Sequence, residues 1–334
     1  MPARPDSRVT SVDVARAAGC SQSTVSLVLS GKSGGRVSES TAQSVRSAAR
    51  ELGYRPNVAA RALRSGAARA VGLVVPDVTN PFFARVLRGA QHAARETGHA
   101  VALIEATYDE TDADALPAGA VDGFLFFARE PPPSVRRDPH LRSVLVETTS
   151  DDVAFVRLDV EAGATAAAEH LLALGHRRIG HLRAAVDEET FHLRARGIAA
   201  ALGAAGLDPA DQPWTEADVG FQSAREGGLR LLGTADPPTA LLCDDDLMAG
   251  GAYLAARDLG LAIPGDVAIV GFDDLDYTVV LDPPLTTVRA DAEDLGAQAF
   301  EVLAELLAGG APASRVLAVE LVVRGSTVSP SQAR

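Results

Sequence analysis

The sequence predicts an α/β protein: a small N-terminal helical domain followed by a two-lobed core of parallel sheets covered by helices. Short helical patterns fill the first 55 residues, and from Ala70 onward short apolar strands alternate with helices. Such alternation is typical of parallel sheets with helices on both faces. This α/β pattern extends over about 265 residues, which is too long for one ordinary sheet. We therefore expect two lobes with a cleft between them.

Three short helices are predicted within residues 1–55, each with apolar side chains along one side. Ser21 is placed to cap the second helix and Ser38 the third, because a serine hydroxyl accepts a backbone N–H of the first turn. Gly53 follows the third helix in the position of a C-terminal cap. The predicted helices span residues 11–18, 21–29 and 38–52.

A short segment, PNVAARALRSG (56–66), begins the connection to the core, which continues to residue 69. Pro56 suits a first helical turn, and the alanines favour helix. About eight residues are nevertheless too few for a stable isolated helix in water. We expect this segment to order only when another structure stabilises it.

The predicted core covers residues 70–330. Its strands are expected at residues 70–75, 100–104, 121–127, 143–147, 178–182, 239–243 and 267–271. Its helices are expected at residues 82–97, 162–174, 190–205, 222–232, 246–259 and 291–308. Ligands of such sheets bind beyond the carboxyl ends of the strands. That rule indicates the loops after residues 75, 127, 147, 243 and 271.

Charge is distributed unevenly along the chain. The whole sequence carries a net charge of −13, yet residues 1–69 hold eleven basic and four acidic side chains. That segment therefore has a balance of +7, and the remaining 20 basic and 40 acidic residues have a balance of −20. A basic segment on an acidic body is typical of a nucleic-acid-binding module attached to a larger domain. A charged, solvated tail is the alternative, which the helical pattern disfavours.

Several classes of protein are disfavoured by composition. No run of about 18 apolar residues indicates a membrane span, and the N-terminal residues lack the apolar run of a signal peptide. Cys20 and Cys243 lie far apart, so neither disulfides nor a cysteine zinc site is expected. Three histidines fall on a helix, a turn and a strand, which does not predict a metal site. We expect a cytoplasmic protein without cofactor, metal or membrane partner.

Seven successive segments resemble one family. They are VTSVDVARAAGCSQSTVSLVLSG (9–31), RVSESTAQSVRSAARELGYRPNVAARALRSG (36–66), VGLVVPDVTNPFF (71–83), VDG (121–123), HLLALGHRRIGHL (170–182), CDDDLMAGGA (243–252) and IPGDVAIVGFDD with PPLTTV (263–288). Together they resemble the lactose-repressor (LacI/GalR) family of bacterial transcriptional regulators over nearly the whole chain.

The resemblance implies a domain order. Residues 1–55 would form a helix-turn-helix headpiece, residues 56–69 a hinge helix and linker, and residues 70–330 an effector-binding and dimerisation core like a periplasmic sugar-binding protein. In that core the chain would cross between the lobes near residues 158–162, 286–291 and 309–315. Family members are usually dimers or larger homo-oligomers.

The resemblance also implies a DNA-binding surface. The second helix of a helix-turn-helix lies in the major groove, so Gln22, Ser23 and Leu27 would contact bases. Phosphate contacts would come from Thr10, Ser21, Thr24, Ser26 and Asn57, with Arg36 and Arg61 adding charge. Capping or solvation is the alternative role for these hydroxyls. Leu63 would enter the minor groove and kink the duplex, or else pack the hinge to the core.

In the core, the resemblance implies that Arg194 binds the effector from the helix that contains Gly197, unless it forms a surface salt bridge. Asp245 and Asp273 follow strand ends, where carboxylates accept hydrogen bonds from sugar hydroxyls or nucleobase nitrogens. Asp246 is expected to cap the next helix. Further effector contacts are expected from Phe82 and Phe83, with Asp77, Phe126, Asp218 and Phe221 as weaker candidates. Core packing is the alternative role for Phe82 and Phe83.

Three departures from the family pattern concern Leu27, where relatives often have Arg, Asp245, which replaces Asn, and the shortened stretch at 111–123. The function implied is a ligand-responsive regulator, most simply a repressor. It would bind a pseudo-palindromic operator as a dimer and be switched by a sugar or sugar derivative. A sugar receptor for a transporter and an α/β enzyme are the alternatives. The basic N-terminal segment disfavours the receptor, and the absence of G-x-S-x-G and H-E-x-x-H disfavours hydrolases.

Overall fold

Two units divide the chain, Met1–Ala68 and Arg69–Arg334. The computed structural model describes residues 9–29, 33–54, 68–106 and 120–327. The predicted hinge segment at 56–66 and most of the shortened stretch at 111–123 lie outside the described residues. Within the described part of the chain, no helix combines the length and the apolar character needed to cross a bilayer.

The N-terminal unit is built from α1 (Ser11–Ala17), α2 (Gln22–Leu29) and α3 (Glu39–Glu51), which confirms the three predicted helices. The two predicted serine caps are also observed. The Ser21 hydroxyl accepts from the Thr24 backbone N–H at 3.1 Å, and that of Ser38 accepts from Thr41 N–H at 3.2 Å. Gly53 adopts a φ of 63°, which only glycine takes at little cost. The apolar sides meet in one small core that includes Val14, Val25, Val28, Ala42 and Val45.

The second unit alternates strands and helices, as predicted. Its strands are β1 (Ala70–Val75), β2 (Ala100–Glu105), β3 (Gly123–Phe126), β4 (Arg142–Val146), β5 (Phe155–Leu158), β6 (Ile179–Ala184), β7 (Trp214–Ala217), β8 (Ala240–Cys243), β9 (Ala268–Phe272), β10 (Thr286–Arg289), β11 (Arg315–Leu317) and β12 (Glu320–Val322). Its helices are α4 (Pro81–Thr97), α5 (Pro133–Arg137), α6 (Val160–Ala173), α7 (Glu189–Ala204), α8 (Phe221–Leu232), α9 (Asp246–Asp258) and α10 (Ala292–Leu307).

These strands form two six-stranded sheets, one in each lobe. The first lobe has the order β11-β5-β4-β3-β1-β2, with every pair parallel. The second lobe has the order β12-β10-β9-β8-β6-β7, and only β12 runs antiparallel to its neighbour. The fold class predicted from the sequence is therefore confirmed. Both sheets are parallel near their centres, so each lobe presents several strand carboxyl ends at one edge.

The chain crosses between the lobes three times. It leaves the first sheet after β5 and returns after β10, because α10 packs against α4 of the first lobe. These two crossings fall where the sequence predicts them. The third lies between β11 and β12, at residues 317–320, and not near 309–315. That expectation was wrong because β11 is a three-residue, half-exposed edge strand with little apolar signal.

Helices α4 and α10 approach closely because glycines lie at their contact. A Cβ added to Gly296 would overlap the Val86 carbonyl, and one added to Gly89 would overlap the Glu293 carbonyl. The two backbones therefore touch directly, and this contact anchors α10 in the first lobe. The N-terminus of α4, which follows β1, is thereby fixed at the edge of the sheet that faces the second lobe.

Candidate functional site

Helix α2 presents a polar surface at its N-terminus. Val25 and Val28 are buried at 1% and 4% exposure, whereas Gln22, Ser23 and Ser26 are exposed. Burial on one side and polarity on the other places the proposed base-reading side chains at the surface of the N-terminal unit. Of the other candidates, Thr10, Ser21 and Arg36 are exposed, and Thr24 and Leu27 are partly buried.

Several of these side chains have local partners within the N-terminal unit. Thr10 and Asp13 form a reciprocal capping box at the start of α1. The Gln22 side-chain amide donates to the Ser11 hydroxyl at 2.8 Å. The capping role that the sequence left open is thus present for Thr10 and Ser21. A base contact by Gln22 requires its amide to leave Ser11. Asn57, Arg61 and Leu63 lie outside the described residues.

In the core, Arg194 lies at the centre of a buried polar cluster. It projects from α7 and is 6% exposed. Its guanidinium lies 3.8 Å from the centroid of the Phe272 ring, a cation–π geometry, and 5.2 Å from that of Phe191. One terminal nitrogen donates to the backbone carbonyl of Asp244, and the other lies 3.8 Å from the Asp273 carboxylate. Arg194 is therefore not a surface salt-bridge residue.

Two carboxyl groups, those of Asp245 and Asp273, approach this guanidinium from strand ends. Asp245 follows β8, is 3% exposed, and caps α9 by accepting from the Leu247 and Met248 backbone N–H groups. Asp273 follows β9, is 4% exposed, and adopts a φ of 111°, which is strained for a residue with a Cβ. Burial raises the pKa of both carboxyls, and the positive charge of Arg194 opposes that rise.

Glu147 completes the acidic side of the cluster and was not identified from the sequence. It follows β4 with a φ of 62° and accepts from the Leu158 backbone N–H at 2.7 Å. Burial raises the pKa of Glu147, and the hydrogen bond from Leu158 and the charge of Arg194 only partly offset that rise. The rule that ligands bind beyond strand carboxyl ends indicates the loop after residue 147, so the available signal was its position.

Asp246 does not cap α9, which corrects the expectation from the sequence. Asp245 is the cap, and Asp246 points instead into the second lobe at 0% exposure. Its carboxyl accepts from the Thr287 hydroxyl at 2.7 Å and from the Leu275 backbone N–H at 2.8 Å. Burial raises its pKa to about 8. Asp246 therefore fixes the loop after β9.

Three phenylalanines pack edge to face where β1 and β3 end. Phe83 lies 5.6 Å from Phe82 and 5.0 Å from Phe127 between ring centroids. Phe126, which the sequence analysis placed in the effector site, stacks instead on Phe124 in a separate core cluster at 1% exposure. Neighbouring side chains alternate between the two faces of a sheet, so Phe127 occupies the face that was expected for Phe126.

The weaker candidates have other contacts. The Asp77 carboxylate accepts from the Thr79 backbone N–H and hydroxyl, which shapes the loop after β1. The Asp218 backbone N–H donates to the Ser223 hydroxyl. Phe221 packs on Tyr277 with ring centroids 5.6 Å apart and is 44% exposed. These contacts do not join the three residues to the Arg194 cluster.

Hydrogen bonds and ion pairs join the two lobes around this cluster. The Asn80 amide, which belongs to the first lobe, donates to Asp245 at 3.3 Å. Arg85 donates to the Asp274 carbonyl at 2.8 Å, and Arg129 pairs with Asp187 at 2.8 Å. Glu189 of α7, in the second lobe, accepts from the hydroxyls of Thr148 and Thr149 of the first lobe, both at 2.7 Å. The cluster thus lies between two bodies held together by polar contacts.

Comparisons with known proteins identify the family. A model described as "Bacterial regulatory proteins, lacI family" matches residues 11–57, and one for a periplasmic binding protein-like domain matches residues 168–327. The chain is 30% identical to the HTH-type transcriptional repressor CytR of Escherichia coli, over 97% of this chain and 98% of that protein. The chain belongs to the LacI family. Its N-terminal unit is therefore a DNA-binding helix-turn-helix domain, as the sequence predicted.

Solved structures of LacI family regulators show the same fold. The lac repressor dimer bound to operator and the anti-inducer ONPF has a TM-score of 0.85 and 28% identity, and the match covers 96% of this chain and 100% of that one. The complex of the regulator CelR with cellobiose has a TM-score of 0.72 and 29% identity, with the same coverage. These LacI family neighbours include proteins with operator DNA or a sugar bound.

Proposed function

We propose that this LacI family member is a transcriptional repressor that binds a pseudo-palindromic operator as a homodimer. A small polyhydroxylated molecule, a sugar or sugar derivative, is its effector and binds between the two lobes. The observation that carries the proposal is the buried cluster of Arg194, Asp245 and Asp273 at the boundary of the lobes. As an operator-binding protein it acts in the cytoplasm.

The DNA-binding half of the proposal rests on α2. Its exposed Gln22 and Ser23 stand at the N-terminus of the second helix, which is the part of a helix-turn-helix that meets base edges. Gln22 offers the donor–acceptor pair that suits adenine, and the partly buried Leu27 offers an apolar contact for a thymine methyl. Thr10, Ser21, Thr24, Ser26 and Arg36 supply the phosphate contacts that fix the register, together with Asn57 and Arg61.

The effector half rests on the chemistry of the cluster. Three carboxyl groups, Glu147, Asp245 and Asp273, interact with the guanidinium of Arg194, and Glu147 also interacts with that of Arg157. An anionic effector such as a sugar phosphate would find Arg194 as its counter-charge among three carboxyl groups, each of which would repel it whenever ionised. A neutral molecule with several hydroxyl donors would satisfy the carboxylates and accept from Arg194. Phe82, Phe83 and Phe127 would cover an apolar face of its ring.

Switching follows from where the cluster lies. Asp245 and Arg194 belong to the second lobe, whereas Asn80 and Glu147 belong to the first. An effector that contacts both lobes binds one lobe arrangement better than another and shifts the population toward it. Because the coupling is reciprocal, operator DNA changes the effector affinity by the same factor.

A second copy of the chain is the partner that the core surface favours. Val279 and Val280 are 55% and 77% exposed, which is unusual for adjacent large apolar side chains on an isolated protein. A homodimer also matches the two-fold symmetry of a pseudo-palindromic operator.

A gel-shift experiment tests the proposal as a whole. The purified full chain is expected to retard DNA from its own promoter region, and one member of a panel of neutral sugars is expected to alter that retardation. Arg194→Ala and Asp273→Asn serve as site variants, which should retain DNA binding and lose the sugar response. Absence of a specific shift at low salt would contradict the proposal.

A further inference from the structure

A buried polar chain extends from Arg194 away from the lobe boundary. It runs from Arg194 through Asp244 and His181 to Arg183, which lies over the ring of Trp214 at 4.3 Å. His181 and Asp244 are 5% and 3% exposed. Neither belongs to the effector cluster described above, and both would be costly to bury without mutual hydrogen bonds. Their burial requires an explanation.

The donors and acceptors of His181 are fixed by its neighbours. The Arg183 Nε carries a hydrogen and can only donate, so His181 Nδ1 accepts from it at 3.1 Å. The remaining ring nitrogen, Nε2, then bears the hydrogen and donates to Asp244 Oδ1 at 2.7 Å. Asp244 Oδ2 accepts from the Ala184 backbone N–H at 2.9 Å. Both carboxylate oxygens of Asp244 are thereby held by β6.

Asp244 in turn determines where Arg194 lies. Among the described residues, the Asp244 carbonyl is the only acceptor within hydrogen-bonding distance of the guanidinium. The Arg194 Nε is buried and has no hydrogen-bond partner there, and the Asp273 carboxylate is 3.8 Å away. The cation–π contact holds the guanidinium over the Phe272 ring without directing any one N–H, so the hydrogen bond to Asp244 fixes where the guanidinium lies over that ring.

We infer that His181 is a positioning residue for effector binding, which acts on Arg194 through Asp244. By anchoring the Asp244 carboxylate to β6, it fixes the carbonyl on which the guanidinium rests. This inference rests on the proposed effector role of Arg194 for its consequence in ligand binding. The positional coupling itself is a property of the chain alone and is tested without any effector.

Arg194 offers a direct spectroscopic probe of this coupling. Because its guanidinium lies 3.8 Å over the Phe272 ring, the ring current shifts its proton signals upfield, by an amount that changes steeply with small displacements. The full chain labelled with ¹⁵N-arginine gives one Nε–Hε correlation per arginine. The Arg194 signal is assigned as the one that disappears in Arg194→Lys.

Three substitutions separate positioning from simple stabilisation. His181→Leu keeps the volume and removes the donor to Asp244. His181→Gln can restore a donor toward Asp244 and an acceptor toward Arg183. His176→Leu is the matched control, because His176 is also buried, at 3% exposure, and its Nδ1 lies 2.9 Å from the hydroxyl of Thr239, which is at the opposite end of β8 from Asp244. Urea unfolding of each variant measures the loss of stability independently.

The expected result is that the Arg194 signal loses its upfield shift in His181→Leu, recovers most of it in His181→Gln, and is unchanged in His176→Leu. An Arg194 signal unmoved in His181→Leu, or moved equally by the His176 control, would overturn the inference. If His181→Leu does not fold, Arg183→Leu decides. Arg183 is only partly buried, and removing its donor should move the Arg194 signal in the same direction by a smaller amount; no movement would overturn the inference. Failure of the effector role of Arg194 would appear separately, as unchanged ligand affinity in Arg194→Ala.

Discussion

Replacing Asp246 with asparagine should stabilise the protein, and increasingly so as the pH rises. The carboxyl is fully buried, and burial raises its pKa from 3.8 to about 8, with the charges of Asp245 and Asp274 adding to the effect. An acid whose pKa is raised by folding contributes stability that is fully present below its unfolded pKa of 3.8. That stability is lost as the pH rises from there through about 8.

Asparagine can reproduce the contacts of the protonated acid. Its carbonyl accepts from the Leu275 backbone N–H, and its amide donates to the Thr287 hydroxyl, which rotates to accept. The variant therefore avoids a buried charge and keeps both contacts, with the direction of the Thr287 hydrogen bond reversed. Between the unfolded pKa of 3.8 and the folded pKa of about 8, the free energy of unfolding of the parent falls by up to about 1.4 kcal/mol per pH unit relative to that of the variant. Between about pH 5 and pH 7.5 the upper limit is thus roughly 3 kcal/mol, and each kcal/mol corresponds to about 2–4 °C in Tm.

The assay is urea or thermal unfolding of parent and variant across this pH range, with the difference between them isolating Asp246 from all other titrating groups. Asp244→Asn is the matched control. Burial works to raise the pKa of Asp244, but contacts with His181, Arg194 and the Ala184 N–H outweigh it and the pKa is lowered. Asp244→Asn should lower the free energy of unfolding at every pH above 3.8, and this loss should not grow between pH 5 and 7.5. A gain for Asp246→Asn that is absent at pH 7.5, or that does not increase with pH, would refute the reasoning.

Four further predictions concern binding and packing. Arg194→Ala should weaken effector binding by calorimetry roughly ten- to a hundredfold and leave DNA retardation intact; equal ligand affinity would contradict the effector role. Gly296→Ala should lower the free energy of unfolding by about 1–3 kcal/mol in urea, whereas Gly203→Ala, where nothing lies within 4 Å of the new methyl, should raise it by up to about 1 kcal/mol. Operator affinity should fall steeply with salt, because residues 1–69 carry a balance of +7; a flat titration would exclude an electrostatic interface. Leu63→Ala should weaken specific binding far more than nonspecific binding without changing the Tm of the core; equal losses would exclude a minor-groove wedge.

The sequence predicted the strands and helices whose apolar patterns are strong. It did not reveal β5, β7, β10, β11 and β12, which are three or four residues long and, in the case of β11 and β12, half-exposed. Such strands form because a neighbouring strand offers hydrogen bonds, a cause that single-sequence periodicity does not record. The error over Phe126 has a related origin, since a shift of one residue in a strand exchanges the two faces of the sheet.

The candidate site was predictable only in part. Arg194, Asp245 and Asp273 were identified by resemblance and by their positions after strands, and the structure brings them together. Glu147 directly follows β4, so its position at a strand end was visible in the sequence, but its contact with Thr190 of the second lobe was not. The position of a residue after a strand indicates that it lies at the edge of the sheet. Which residue of the other lobe it contacts is known only from the tertiary structure.

Three consecutive carboxyl groups show why residue type alone cannot assign these roles. Asp244 accepts from His181 and Ala184, and its pKa is lowered. Asp246 meets only a hydroxyl and one backbone N–H, and its pKa is raised. Asp245, held between them as the cap of α9, is the member that faces the first lobe. The neighbouring strands and loops determine how many hydrogen-bond donors each carboxyl group meets. Those donors, in turn, determine whether folding lowers or raises its pKa.

This arrangement also shows how firmly each half of the site is held. The second-lobe half is fixed on both sides, because Asp244 is tied to β6 and Asp246 to the loop after β9 and to strand β10. Across the cleft, Asp245 meets the first lobe through Asn80 at 3.3 Å, a longer contact than those that hold its neighbours. Under the proposed function, an effector that inserts there replaces the longest of these contacts, whereas the 2.7 Å contacts of Glu189 with Thr148 and Thr149 must rearrange if the lobes move apart. The difference in effector affinity between the two lobe arrangements then determines how far their populations shift.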